Sequence, residues 1–436
     1  MRRPASVADP AFATAGDCYH DLLDSRMRVG VLGGGLQGCC VALALAERGI
    51  DVVLFDRNQS LLSRTAVANE GKIHLGYMYV GDPTLATART MTEGALSFGP
   101  FLQRYLGLSW EKIRISTPAH YAVHRSSQHS DEAVAAYLDD VHRHIVQASA
   151  GRERAYFGLD LLQPPQRWSS EECSATFNRQ NVVAAISTPE ISIDPEELAA
   201  ALGACIAAHQ KIEVRTEHHI VRAEPAKVGL HVISRHMKHE AAERFDHVVN
   251  ALWDGRLAVD ASLGLKPRRP WLHRLKYGIV FTLPEELDCP PSTTVVSGPF
   301  GEVVSYPGRQ MYLTWYPVCL RGISAETAPP DWPTYPAEPL RSEILKRSIA
   351  ALSEILPSLD PLNRASLADA RVKGGVIVAW GRTDIDDPVS ELHRRSEIGI
   401  TSFGGYHSID PGKLTMAPYY AERCANRIAE LSRVTV

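Results

Sequence analysis

One stretch constrains this chain more than any other: RVGVLGGGLQGCCVALALAERGIDVVLFD, from Arg28 to Asp56. Val29 to Leu32 is an apolar, β-branched run long enough for one buried parallel strand. It leads into Gly33-Gly34-Gly35-Leu36-Gln37-Gly38, in which Gly33, Gly35 and Gly38 satisfy the spacing G-x-G-x-x-G. Cys39 to Arg48 carries no Pro or Gly and is rich in Ala and Leu, so a helix follows and Gly49 ends it. Asp51 to Phe55 then reads as a second buried strand that stops at Asp56. The three glycines allow a tight turn, a close approach of backbone to a pyrophosphate, and tight helix–strand packing. Free N–H groups at the helix start bind phosphate oxygens. An acid at the end of the second strand accepts hydrogen bonds from a ribose 2′-hydroxyl and repels a 2′-phosphate, which disfavours NADP. A glycine triplet alone also marks ordinary strand–helix turns; here strand, helix, strand and acid follow in register, which predicts a dinucleotide site.

With 436 residues the chain can bury a large core and is expected to form two domains. The formal charge of −4 gives no footprint for a nucleic-acid partner. No apolar run approaches the roughly 18 residues that a spanning helix needs, so no transmembrane segment is expected. Arg2-Arg3 is not followed by an apolar stretch, so no export signal is read. The cysteines are scattered without a C-x-x-C pair, so a reducing, cytoplasmic compartment and no metal are expected. Residues 1–26 read as an extension in which DCYHDLLDSR forms a short helix.

Beyond Asp56, the loop RNQSLLSRTAVANEGKIHLGYMY holds Ser63, Arg64 and Thr65, whose hydroxyls and guanidinium suit phosphate oxygens; a helix start capped by Ser63 is the plainer alternative. A long helix is predicted over 85–106 and strands around 112–124. Asp194-Pro195-Glu196-Glu197 is a helix start, with a capping Asp, a first-turn Pro and acids at the positive end. Strands follow at Ile212 to Val214, at DHVVNA (246–251) and at GRQMYLTWYP (308–317), and a helix closes the chain from about Thr415 to Leu431.

Four blocks in this order resemble the FAD-dependent D-amino-acid-oxidase superfamily, which includes glycine and sarcosine oxidases and glycerol-3-phosphate dehydrogenase: GGGLQG with Asp56; SRTAVANEGKIHLGY; ISIDPEELAAAL through IEVRTEHHIVRAE to DHVVNA; and SFGGYHSIDPGKLTMAP. The resemblance implies an α/β architecture, with a Rossmann-like FAD-binding domain assembled from 27–84, 190–260 and 370–436. An inserted antiparallel α+β substrate domain, from 85–189 and 261–369, would cover it. FAD contacts are then expected at Gly33, Gly35, Leu36, Gln37 and Gly38, and at Asp56, Arg57, Ser63, Arg64 and Thr65. Further contacts are expected at Ile220, Val221, Asn250 and Ala251, and in the terminal turn at Gly412, Lys413, Leu414 and Thr415. There an ammonium and a helix N-terminus would stabilise charge on the reduced flavin. The His or Cys that some relatives use for covalent flavin attachment is not recognised in the second block, whose one histidine, His74, is read as a catalytic candidate, so noncovalent FAD is implied. The usual Ala-Gly after the VVNA strand is replaced by Ala251-Leu252-Trp253-Asp254-Gly255, which displaces the glycine.

The implied reaction removes hydride from a C–H beside an amine, as in amine or amino-acid oxidation, to flavin N5. Oxygen or another acceptor would reoxidise the flavin. Oxidation of a secondary alcohol of a polyol, sugar or phosphate ester is the alternative; a nicotinamide dehydrogenase and a non-catalytic flavoprotein are the outlying readings. His74, Lys276 and His407 are candidate catalytic groups, though a lone histidine is as readily structural. Tyr277, Tyr312, Tyr316 and Arg382 are candidate substrate contacts, with core packing the competing role for the aromatics.

Overall fold

The computed structural model describes residues 27–434; the expected helix within residues 17–26 lies outside them. The organising unit forms as its sequence dictates: β1 (Arg28–Leu32), α1 (Leu36–Ala46) and β2 (Asp51–Phe55). Helix α1 is Ala, Leu and Cys on nearly every face and is accordingly buried from Gln37 to Ala46. Its N-cap is Gly35, and no side chain caps it, so its first N–H groups are left for another partner. Gly33 sits at φ +99, where side chains are disfavoured, and a Cβ on Gly38 would lie 1.8 Å from the Gly33 carbonyl oxygen. Around Gly35 a Cβ would meet nothing within 4 Å. Two glycines therefore serve the turn and the packing, and the third leaves open space.

β1 lies at the centre of a six-stranded sheet, between β2 and the strand His247–Asn250. Beyond β2 comes Ile212–Arg215, and beyond His247–Asn250 come Tyr406–Asp410 and the edge strand Gly399–Phe403. All neighbours are parallel except the final hairpin. The strand order reverses direction at β1, and that is where a crevice opens at the carboxyl ends of the strands.

A nine-stranded sheet faces this unit. Its long strand Trp271–Thr282 pairs with Gln310–Trp315, with Leu320–Ser324 and, over ten residues, with Arg371–Trp380. Arg371–Trp380 falls in the segment expected to return to the nucleotide-binding domain, yet it joins the other sheet. Its neighbour in space is decided by the run of backbone pairing with Trp271–Thr282. Likewise the helix Ala86–Leu106, expected in the substrate domain, packs with α1 and the closing helix Ala417–Val434 in the core beneath β1 and β2. A two-stranded antiparallel pair, Lys72–Ile73 with Ile191–Ser192, joins the loop after β2 to the polypeptide that leaves the nine-stranded sheet.

Because the Gly38 contact is to backbone, an added methyl cannot be absorbed by a rotamer change. Gly38→Ala should cost about 1–3 kcal/mol in chemical denaturation, whereas Gly35→Ala should cost less than about 1 kcal/mol. Equal losses in the two variants would contradict the packing role of Gly38.

Candidate active site

A cavity of about 390 Å³ starts at the uncapped end of α1 and runs between the two sheets. At the end beside the glycine turn, Asp56 Oδ2 accepts the Gly34 N–H at 2.8 Å, and Oδ1 accepts from the backbone and side chain of Asn58 at 2.8 and 2.7 Å. The acid thus fixes the glycine turn, and Oδ2 keeps a lone pair on the cavity wall. Gly33, Gly35, Leu36, Gln37, Arg57, Ser63, Arg64, Thr65, Ile220, Val221 and Ala251 also line this end. Gly38 does not, being turned to the Gly33 carbonyl. Asn250 lies beneath the floor, where its amide donates to Asp260 Oδ1 and to the Arg256 carbonyl, both at 3.0 Å. Ser63 Oγ donates to the Ser60 carbonyl at 2.9 Å.

The departure after His247–Asn250 has a definite consequence. Trp253, not Gly255, takes the left-handed backbone, at φ +57, and its indole N–H donates to the Val376 carbonyl at 2.7 Å. The next residue, Asp254, lies 3.5 Å from Arg57 and 3.4 Å from Arg64. Burial pushes its carboxyl above the ordinary range, against the pull of Arg57.

The far end of the cavity is charged. Lys72 donates to Glu302 at 2.6 Å and also to Thr294, all of them buried. Lys276 lies 3.9 Å from Glu70. Burial alone would raise Glu70, but Lys276, Lys413 and Lys72 outweigh it and pull the carboxyl down to about 2. Lys413 lines the cavity beside Gly412 and Leu414 and has no carboxylate partner among the described residues. Burial, reinforced by Arg395, brings it down to about 8 despite Glu70. Thr415 is hidden rather than lining: its hydroxyl accepts the His74 N–H at 2.9 Å and donates to the Lys72 carbonyl at 3.2 Å. The terminal turn therefore pins the loop that carries His74.

His74 lines the cavity, 2% exposed, with Nδ1 3.5 Å from Glu190 Oε1. Burial holds this imidazole below its ordinary value, against the opposite effect of Glu190. Of the candidate catalytic groups, His74 and Lys276 thus face one chamber. His407 does not: it is buried in the strand Tyr406–Asp410, bonded to His247 at 3.1 Å and to Ser402 at 2.9 Å. Burial and then His247 bring it down to about 3.

The candidate substrate contacts also lie off the cavity wall. Tyr277 is core and donates to the Pro333 carbonyl at 2.9 Å. Tyr316 donates to Asp384 at 2.8 Å, and Arg382 is exposed. Tyr312 is buried with its hydroxyl unpartnered among the described residues. Glu70, Lys72, Glu190 and Glu302 form the charged lining or its support without having stood out in sequence. Glu190 sits in an unremarkable stretch before a helix, and only the pairing of Ile73 with Ile191 carries it to His74.

A sequence profile of the FAD-dependent oxidoreductase (DAO) family matches residues 28–408. The chain belongs to this family. No curated protein sequence is significantly similar to it. Among solved structures, the DAO-family chain shares its fold with glycine oxidase from Geobacillus kaustophilus (14% identity, 93% of this chain and 95% of that chain covered, TM-score 0.62). It is similarly related to L-α-glycerophosphate oxidase from Mycoplasma pneumoniae with FAD bound (16%, 93% and 95%, 0.63). L-proline dehydrogenase from P. horikoshii gives 15% identity, 94% coverage of each chain and a TM-score of 0.62. The DAO-family chain is an FAD-dependent oxidoreductase with a Rossmann-like sheet and a second, largely antiparallel one. Among the described residues no helix is long and apolar enough to cross a membrane. The observed cradle fits the cofactor: an uncapped helix N-terminus over open space, an acid with a spare lone pair, and, at the far end, an ammonium with no ion-pair partner among the described residues.

Lys413 also yields a stability signature. Folded, it holds its proton only below about 8, whereas unfolded it titrates at its ordinary 10.5. Above pH 8 the unfolded state binds the extra proton, so this lysine's penalty on folding fades as pH rises. In FAD-free protein, Lys413→Met should be the more stable form near pH 7.5. Urea unfolding should show that advantage shrinking above pH 8 by up to about 1.4 kcal/mol per pH unit. A pH-independent gap would contradict the depressed titration.

Proposed function

We propose that the chain oxidises a small amine or amino acid at the C–H beside nitrogen, with noncovalently held FAD as hydride acceptor. The observation that carries this reading is the position of His74, backed by Glu190, in the same chamber as Lys276 and Lys413. Amine oxidation requires a neutral nitrogen, so a proton must leave the substrate. A buried imidazole held below its ordinary range is neutral at physiological pH and able to take it. Lys276 and Lys413 offer positive charge for an anionic group within the same enclosed space. FAD supplies the hydride acceptor when bound; the chain orients the substrate, excludes water and accepts the proton. The α1 N-terminus, Asp56 and the Arg57–Arg64 loop would hold the nucleotide portion, and Lys413 the ring portion.

The solved structures named for glycine oxidase and proline dehydrogenase support an amino- or imino-acid substrate. Oxidation of a hydroxyl is the second reading, because an imidazole–carboxylate pair accepts an O–H proton equally well; the glycerophosphate oxidase likeness accords with it. Reoxidation by oxygen or by a separate acceptor completes turnover. The described cysteines are all unpaired, in keeping with a reducing cytoplasm.

The test is the visible spectrum of the purified protein before and after anaerobic addition of an amine, amino-acid and polyol panel. A flavin band released as FAD by acid is expected, with bleaching by an amine or amino acid; bleaching by a polyol alone would select the second reading. With the reactive compound in hand, His74→Asn should slow bleaching by about 10²-fold or more while FAD stays bound. An unchanged rate would remove His74 from proton transfer.

A further inference from the structure

Glu190 is fully buried, and its carboxylate is surrounded by donors that carry no charge. Oε2 accepts the Leu75 N–H at 2.6 Å and Oε1 accepts the Tyr121 hydroxyl at 2.5 Å. The nearby cation, Lys72, is committed to Glu302 at 2.6 Å. What remains facing Glu190 is His74 Nδ1, at 3.5 Å. A buried carboxylate without a contacting cation is costly. Its cost is relieved whenever His74 acquires a proton, because the pair then becomes an ion pair in a water-poor setting.

The surroundings of His74 leave this task to no other group. Lys72 on its own strand and Lys413 on the terminal turn both oppose a positive imidazole. Tyr79 packs its ring 5.6 Å away, and His393 lies beyond it, 5.9 Å from Tyr79. Thr415 accepts the His74 backbone N–H at 2.9 Å. Glu190, reached through the Lys72–Ile73 and Ile191–Ser192 pairing, is the anion within contact range of the imidazole. A role as mere hydrogen-bond acceptor for Leu75 and Tyr121 would need no charge.

We propose that Glu190 is the positioning residue for His74: its carboxylate keeps the resting proton on Nδ1, leaves Nε2 as the acceptor, and pairs with the imidazolium formed on proton transfer. The N–H or O–H bond of the substrate breaks, the proton forms the Nε2–H bond, and it passes to water after product leaves. This inference rests on the reading of His74 as the base. At 3.5 Å the two atoms face each other without a formed hydrogen bond among the described residues; a charge-assisted bond is shorter.

The experiment is a histidine-ring NMR titration of the FAD-loaded protein, with the His74 signal identified by its loss in His74→Asn. Glu190→Gln should lower the His74 pKa by at least one unit, and Glu190→Asp should give an intermediate value. Should Glu190→Gln fail to fold, Tyr121→Phe serves instead: stripping a neutral donor from Glu190 makes it more basic, and the His74 pKa should rise. An unmoved His74 pKa overturns the role of Glu190. In flavin bleaching by the reactive compound of the panel, Glu190→Gln should shift the acid limb of the rate profile to lower pH. It should cost nothing further in a His74→Asn background; additive losses would overturn the proposal. A wild-type rate in His74→Asn alone would instead overturn the reading of His74 as base, which keeps the two failures apart.

Discussion

The buried Lys72–Glu302 pair is the interaction on which the two halves of the molecule depend. Lys72 comes from the loop after β2, Glu302 from the nine-stranded sheet 230 residues later, and their contact is 2.6 Å with both side chains nearly inaccessible. Two charges taken out of water gain little net stability over a well-packed apolar pair, but losing one partner leaves the other stranded at a cost of about 3–5 kcal/mol. The pair therefore works less as glue than as a register mark, tolerating one relative placement of the sheets and penalising others. The adjoining pairing of Lys72–Ile73 with Ile191–Ser192 fixes the same junction through backbone.

From that junction outward the chamber is an alternation of charge: Glu302, Lys72, Glu70, Lys276, with Lys413 beyond. Low exposure makes each of these interactions stronger than it would be in water. Glu70 illustrates the balance, since three lysines overcome a desolvation penalty that alone would raise its carboxyl. Lys413 shows the reverse: with no carboxylate in contact among the described residues, burial and Arg395 prevail and its proton is loosely held. The chamber thus presents its least-compensated positive charge beside the Gly412–Leu414 turn. The His74 imidazole, held below its ordinary range by burial, lines the same chamber, with Glu190 3.5 Å from its Nδ1.

Trp253 marks where this chain departs from a simple glycine solution. A left-handed backbone is ordinarily given to glycine because a Cβ costs roughly 1–2 kcal/mol there. Here the indole bond to the Val376 carbonyl offsets that cost and ties the loop after His247–Asn250 to the nine-stranded sheet. The same turn delivers Asp254 to Arg57 and Arg64. The terminal turn has a comparable second duty: Thr415, expected as a cofactor contact, spends its hydroxyl on His74 and Lys72 backbone.

What the sequence by itself determined is the part whose cause is local. The β1–α1–β2 unit, the three separate uses of its glycines, the acid at Asp56 and the Asp194-capped helix all follow from spacing within a few dozen residues. Periodicity, steric limits on φ and helix-end hydrogen bonding act over that range, so the pattern suffices. Only the tertiary structure decided which charged side chains share the chamber. Glu190 meets the His74 loop across 115 residues and Lys72 meets Glu302 across 230, and nothing local distinguishes these acids from solvated ones. It likewise decided that His407, Tyr277 and Tyr316 spend their polar atoms on internal partners, because strand pairing, not composition, chose the face each presents. Burial is a property of the assembled sheets, and it is burial that turns ordinary Lys, Glu and His residues into groups with shifted proton affinity.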